Sequence, residues 1–257
     1  MNKPKTTLVK ATQTSLQVVS AIEELGEEAT ITEIANHLQL AKSTAYKHLV
    51  TLEEYGIVVE HTNGYRIGSR CLELGGIAQR YDSIYEIAKP EVQKMSEATG
   101  ELANLMFEEQ GYGVYTYTAR GDQAVNIENR LGKRVPLHTT ALGKALLSSY
   151  SDERIVEVVN EYGLPAETEE TITDQTALFD ELSRIREEGF AYNRGERVDG
   201  LGCIATPIET GNRRNAAISI TMPISRLDPD QMEHEFREIL NQAANVIELN
   251  LAHENQQ

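Results

Sequence analysis

With 40 acidic against 24 basic side chains in 257 residues, the chain has a formal net charge of −16, which excludes a body that coats nucleic acid or an anionic membrane through bulk charge. Two cysteines, Cys71 and Cys203, are too few for a disulfide framework and fit a reducing compartment. No apolar run reaches membrane-spanning length and Met1–Lys10 has no signal-peptide core, so a cytoplasmic protein without a membrane partner is expected.

In chain order, Lys10–Glu24 reads as a helix with Leu16, Val19 and Ile22 on one side. The next segment, ITEIANHLQLAKSTAYKHLVTLEEYGIVVEHTNGYRI at 31–67, predicts a winged helix-turn-helix. A helix capped by Thr32 buries Ile34, Ala35 and Leu38. A break around Gln39–Lys42 leads into a second helix with Ala45, Leu49 and Leu52 at i, i+4, i+7. Gly56 is placed to end it in the left-handed conformation. Ile57–Val59 and Tyr65–Ile67 flank Asn63-Gly64, a two-residue hairpin signal for the wing.

The outward face of the second helix is Lys42, Ser43, Tyr46, Lys47 and Val50. Lysines there can meet phosphates or guanine edges, and the first turn, with Ser43 and Thr44, presents backbone N–H groups to phosphate. Lys42, Ser43, Thr44, Tyr46 and Lys47 are the expected operator contacts on double-stranded DNA, with Arg66 of the wing on the backbone. A solvated polar face would look the same on the helix alone; the flanking helix and wing favour DNA.

Gly68–Lys89 reads as mostly helical and, lying between dissimilar regions, as a linker helix. Pro90 should open a further helix to about Ala98, ended by Gly100. Strands are expected at Leu102–Phe107, Gly113–Thr118, Val125–Asn129, Phe190–Asn193, Cys203–Ile208 and Ala216–Met222. Helices are expected at Thr139–Ser149, Asp152–Glu161 and Asp174–Glu188. A last helix should start at Asp228-Pro229-Asp230-Gln231 and run to about His253. Strands and helices in this order suggest an α+β sensor domain on a mostly antiparallel sheet. The expected domains are 1–68, the winged helix; 69–89, the linker helix; and 90–257, the sensor.

Charge divides along the same line. Residues 1–80 have a net charge of −1 and residues 81–257 of −15, so DNA contact should be confined to the head. So acidic a surface, with only nine lysines, also points to a salt-loving source.

Candidates for other chemistry are weak. Cys203 with His138 could pair as nucleophile and base, and Glu187 with Glu188 as acid and base, but no spacing supports either. Cys203 also reads as a small core residue and His138 as a structural hydrogen-bonding group. Gly143-Lys144 lacks the glycine spacing of a phosphate loop. No enzyme, metal or cofactor is expected.

Four segments carry a resemblance across nearly the whole chain: KSTAYKHLVTLEEYGIV at 42–58, YRIGSRCLELG at 65–75, PLHTTALGKALL at 136–147 and IREEGFAYNRGERVDGLGCIATPI at 185–208, the last continued by AAISIT at 216–221. Their order and spacing resemble the IclR family of transcription regulators. The resemblance implies a winged helix, a linker helix and a GAF-like domain that binds a small effector, in dimers often paired into tetramers on operator DNA. It places the effector near Ala141, Leu142, Asn193, Leu201, Cys203, Ser219 and Thr221, with Asn193 where some relatives carry a carboxylate. Ser219 and Thr221 alternate with Ile218 and Ile220, so both hydroxyls share one strand face. With a helix N-terminus near Thr139–Thr140, they suit an organic acid or sugar acid. A sensor domain that only dimerises, without a ligand, is the alternative.

Overall fold

The computed structural model describes residues 7–26, 28–81, 83–127, 131–211, 213–226 and 232–254. These fall into two compact units that divide between Ala78 and Gln79.

The first unit holds α1 (Lys10–Leu25), α2 (Ile31–His37), α3 (Lys42–Glu54), a hairpin of β1 (Val58–His61) and β2 (Gly64–Ile67), and most of α4 (Arg70–Gln79). Its core joins Val18, Ala21 and Ile22 of α1 to Ile34, Leu49, Val58 and Tyr65. Burying each large aliphatic here contributes about 1.5–3 kcal/mol. Leu16, expected inside, is exposed, because it lies about 200° round the helix from Val18. The cap of α2 is Thr30, two residues before the expected Thr32. Its hydroxyl accepts from Glu33 N at 3.2 Å while Glu33 Oε2 accepts from Thr30 N at 2.8 Å, a reciprocal capping box.

Gln39 takes a left-handed φ of 53° in the turn between α2 and α3. Gly56 closes α3 as expected, with φ 69° and the paired bonds Gly56 N to Glu53 O and Ile57 N to Leu52 O. In the wing, His61 pairs with Gly64, so the two-residue loop is Thr62-Asn63, one position before the expected Asn63-Gly64. Gly64 serves a close approach instead: a Cβ there would lie 2.6 Å from the Ala29 carbonyl oxygen, where Ala29 pairs with Tyr65.

The second unit is an α+β fold. Its elements from the N-terminal side are α5 (Ser83–Thr99), β3 (Leu102–Glu109), β4 (Tyr112–Arg120), β5 (Arg134–Pro136), a 3-10 turn at Leu137–Thr139, α6 (Ala141–Ser148) and α7 (Asp152–Tyr162). Then come α8 (Gln175–Glu188), β6 (Ala191–Arg194), β7 (Leu201–Ile208), β8 (Ala216–Pro223), a π-type turn at Met232–Phe236 and α9 (Arg237–Glu254). The strands form one antiparallel sheet in the order β5-β4-β3-β8-β7-β6. Alternation along the strands sends Phe107, Ile204 and Ile218 to the α5–α9 face and Met106, Ala205 and Ala217 to the α6–α8 face.

Three expectations change. Residues 69–89 contain α4 and the start of α5, separated at Arg80–Tyr81, rather than one helix. Pro90 does not open a helix but sits inside α5, where the buried stripe Ile84, Ala88, Val92 and Met95 carries the helix through it. Val125–Ile127 is not a strand, the rest of that run lies outside the described residues, and the edge strand is Arg134–Pro136. The expected helix start at Asp228–Gln231 also lies outside the described residues.

Candidate functional site

In the first unit, α3 offers one polar face. Ala45 and Leu49 are fully buried against α1 and α2, which turns Lys42, Ser43, Tyr46, Lys47 and Val50 to solvent. Thr44 is half-buried behind them. Ala41 precedes the helix and makes no side-chain cap; Thr44 N donates to Ala41 O at 2.9 Å, which leaves the N–H groups of Lys42 and Ser43 at the start of the helix for an outside acceptor. Lys42 and Lys47 are exposed at the two edges of this face, about 140° apart round the helix, and Arg66 is exposed on β2. Chemically, the face joins two ammonium groups, a phenol ring, a hydroxyl and a methyl-bearing side chain, a set able to read both phosphate and base edges.

In the second unit, a cleft of about 270 Å³ opens between α6, the sheet and the segment that joins β6 to β7. It is smaller than the ~300–1,000 Å³ typical of drug-sized sites and suits a metabolite. Gly143, next to the lining residue Leu142, fixes how α6 begins: a Cβ there would meet the Leu137 carbonyl oxygen at 2.0 Å, so only glycine lets α6 start against the 3-10 turn. Thr140 caps α6 by accepting from Gly143 N at 2.9 Å.

Six of the seven residues expected around the effector line this cleft: Ala141, Leu142, Asn193, Leu201, Cys203 and Thr221. Ser219 shares the face of Thr221 but is fully buried beneath it and does not line the cleft. Its hydroxyl accepts from Asn104 Nδ2 at 3.4 Å, and Thr221 accepts from the same nitrogen at 3.3 Å. Thr221 donates in turn to Cys203 Sγ at 3.2 Å. Burial pushes the Cys203 thiol up, the wrong direction for a nucleophile. Asn193 is committed on both sides: its Nδ2 donates to Thr139 O at 2.7 Å and its Oδ1 accepts from Glu196 N at 3.2 Å.

Sequence reasoning missed Arg197, Tyr115 and Lys133, which also line the cleft. Arg197 Nη1 donates to Tyr115 Oη at 2.9 Å. Burial pushes the phenol up to about 12 against the pull of Arg197, so it stays protonated. Behind the cleft, Lys144 is buried, with Nζ 3.0 Å from Glu181 Oε1 and 2.7 Å from Glu196 Oε2. Burial pushes Glu196 above its usual value although Lys144 pulls it down. This ion pair and Asn193 together hold the 193–197 segment against α6. GERVDG, inside one of the four resembling segments, was the available signal for Arg197; its partner Tyr115 is distant in sequence.

His138 lies outside the cleft. Burial lowers its pKa, and its Nε2 lies 3.0 Å from Pro165 O, the structural bond weighed above. Among the described residues no three His, Cys, Asp or Glu side chains are grouped to hold a metal, and no helix is long and apolar enough to cross a membrane.

Comparison with known proteins matches both units. The family model "Bacterial transcriptional regulator IclR C-terminal" covers residues 78–249, and "IclR helix-turn-helix domain" covers residues 12–61. The HTH-type transcriptional regulator XynR of Escherichia coli is 30% identical over 92% of this chain and 94% of its own. The crystal structure of the Thermotoga maritima IclR superposes with a TM-score of 0.76 at 28% identity, over 94% of this chain and 98% of that one. An IclR homolog from Microbacterium hydrocarbonoxydans, crystallised with 4-hydroxybenzoate, superposes with a TM-score of 0.75 at 26% identity, over 93% and 99%.

Proposed function

The chain belongs to the IclR family of ligand-responsive transcription regulators, and from that premise we propose that its head reads a pseudo-palindromic operator while its cleft senses a small organic or sugar acid. The exposed row Lys42, Ser43, Tyr46, Lys47 and Val50 on α3, set opposite the buried Ala45 and Leu49, carries the DNA side of this reading. Thr44 and the wing residue Arg66 complete the proposed contacts. The cleft lined by Ala141, Leu142, Asn193, Leu201, Cys203 and Thr221 carries the sensor side, and the 4-hydroxybenzoate complex of the Microbacterium homolog supports an organic acid as its ligand. Ser219 supports the cleft from below. The protein acts in the cytoplasm, where its operator lies.

A homodimer, which could pair into a tetramer, is the proposed working form. α4 has no buried residue, and Leu72 and Ile77 are 79% and 58% exposed on it. A second copy would cover that apolar surface and pair the two heads, so that protein symmetry dictates matched half-sites. Selection of operators from random duplex DNA by the full chain tests this. The expected result is a two-fold-related sequence bound by at least two protomers; an asymmetric site bound by one protomer would overturn it. An effector switches such a protein by favouring one arrangement of the two heads over another.

A further inference from the structure

We propose that Arg197, seated on Tyr115, is the carboxylate anchor of the cleft, and that the effector is a small monocarboxylate with a largely apolar body. This deepens the sensing role proposed above and rests on it. The first observation is charge. In a chain with 40 acidic and 24 basic residues, the described residues that line the cleft include two cations, Arg197 and Lys133, and no carboxylate.

The second observation is the state of Arg197. Among the described residues, the other half-buried arginines each have a carboxylate within 4.0 Å: Arg154 with Glu157, Arg184 with Glu181, Arg213 with Glu254, Arg214 with Glu109 and Arg237 with Glu188. Arg197 is half-buried and has no such partner among the described residues; a neutral phenol holds it instead. A partly desolvated guanidinium fixed on one side and open to a cleft is built to take a carboxylate on the other. Lys133 is exposed, so among the described residues the cleft offers one desolvated cation, which matches one carboxylate rather than two.

The third observation excludes a polyol. The neutral polar groups of the cleft are already bonded within the protein: Asn193 to Thr139 and Glu196, Thr221 to Asn104 and Cys203, and Thr140 to Gly143. A sugar acid would bury hydroxyls with few partners left to meet them. Ile127, Leu142, Val198 and Leu201 offer apolar wall instead.

Calorimetric titration of the full chain at constant ionic strength tests this, with hexanoate and benzoate as probes. Their neutral amides, and gluconate and succinate, serve as comparisons. Hexanoate or benzoate should bind, with the matching amide, gluconate and succinate each at least tenfold weaker. Arg197→Gln should weaken the carboxylate at least tenfold without changing the affinity for the amide, a charge-specific loss that general damage to the fold would not produce. Arg197→Lys should restore part of it, and Tyr115→Phe should weaken the carboxylate severalfold. Absence of binding by both carboxylates, tighter gluconate or succinate, an amide as tight as its acid, or carboxylate binding unaffected by Arg197→Gln would each overturn the proposal. A probe that binds through Arg197 yet leaves operator affinity unchanged would keep this anchor and overturn the switch. A metabolite that switches operator binding in Arg197→Gln as in the parent protein would do the reverse.

Discussion

Lys47 tests the DNA-reading face at the scale of one side chain. It is exposed on α3 and lies outside the Ala45–Leu49 stripe, so its loss should not disturb the core. Lys47→Ala should weaken operator binding by about 1–3 kcal/mol with the urea midpoint unchanged. Undiminished binding in a mobility-shift titration would remove Lys47 from the site. Lys144 makes a different prediction. Its removal in Lys144→Met leaves the half-buried Glu181 and Glu196 without their shared cation, at a cost of about 3–5 kcal/mol. Burial already holds Glu196 above the usual carboxylate value, and the lost cation removes the opposing pull. The folded variant then binds a proton more readily than the unfolded chain, so its stability falls as pH rises above the ordinary carboxylate range and recovers as pH falls toward it. Urea titrations at pH 5 and pH 8 should show the larger deficit at pH 8; equal deficits would contradict the pairing. The exposed row of α3 was legible because one helix period separates buried from exposed positions. Arg197 was not, because its meaning depends on Tyr115, a partner 82 positions earlier that only the sheet brings near.

Among the elements, the 3-10 turn and α6 meet at a tight junction beside the cleft residues Thr140, Ala141 and Leu142. Gly143→Ala would place a methyl group against the Leu137 carbonyl, which backbone movement alone can relieve. The variant should lose about 1–3 kcal/mol of stability in the second unit and bind the effector more weakly. Chemical denaturation followed by titration of the most tightly bound carboxylate checks both; a variant with parental stability and affinity would show that the junction tolerates a Cβ. The chain spelled out most helices and strands through their periods; between β3 and β4 the structure adds a tight turn in which Gln110 and Gly111 both adopt positive φ. It misled where two signals competed. Thr30-Ile-Thr-Glu33 contains two possible caps, and the reciprocal bond with Glu33 decides for the first. Pro90 resembled a helix start, yet four buried side chains on either side of it outweigh one missing backbone bond. Arg134–Pro136 is too short, and too polar at its first residue, to announce itself as a strand.

For the whole molecule, the separation of charge is the largest organising feature. With a head of net charge −1 and a remainder of −15, DNA contact is expected at the head. Both domains and their family resemblance were legible from four segments of sequence, whereas the cleft's chemistry emerged only from the packing of β4, α6 and the β6–β7 segment. The central claim is that occupancy of the cleft and affinity for the operator are coupled. Titration of the full chain with its selected operator, with and without a saturating carboxylate, tests it most directly. The account predicts that operator affinity shifts by roughly 5–150-fold, and that operator DNA shifts carboxylate affinity by the same factor, as reciprocity requires. A carboxylate that fills the cleft, as shown by its dependence on Arg197, while operator affinity stays constant would contradict it.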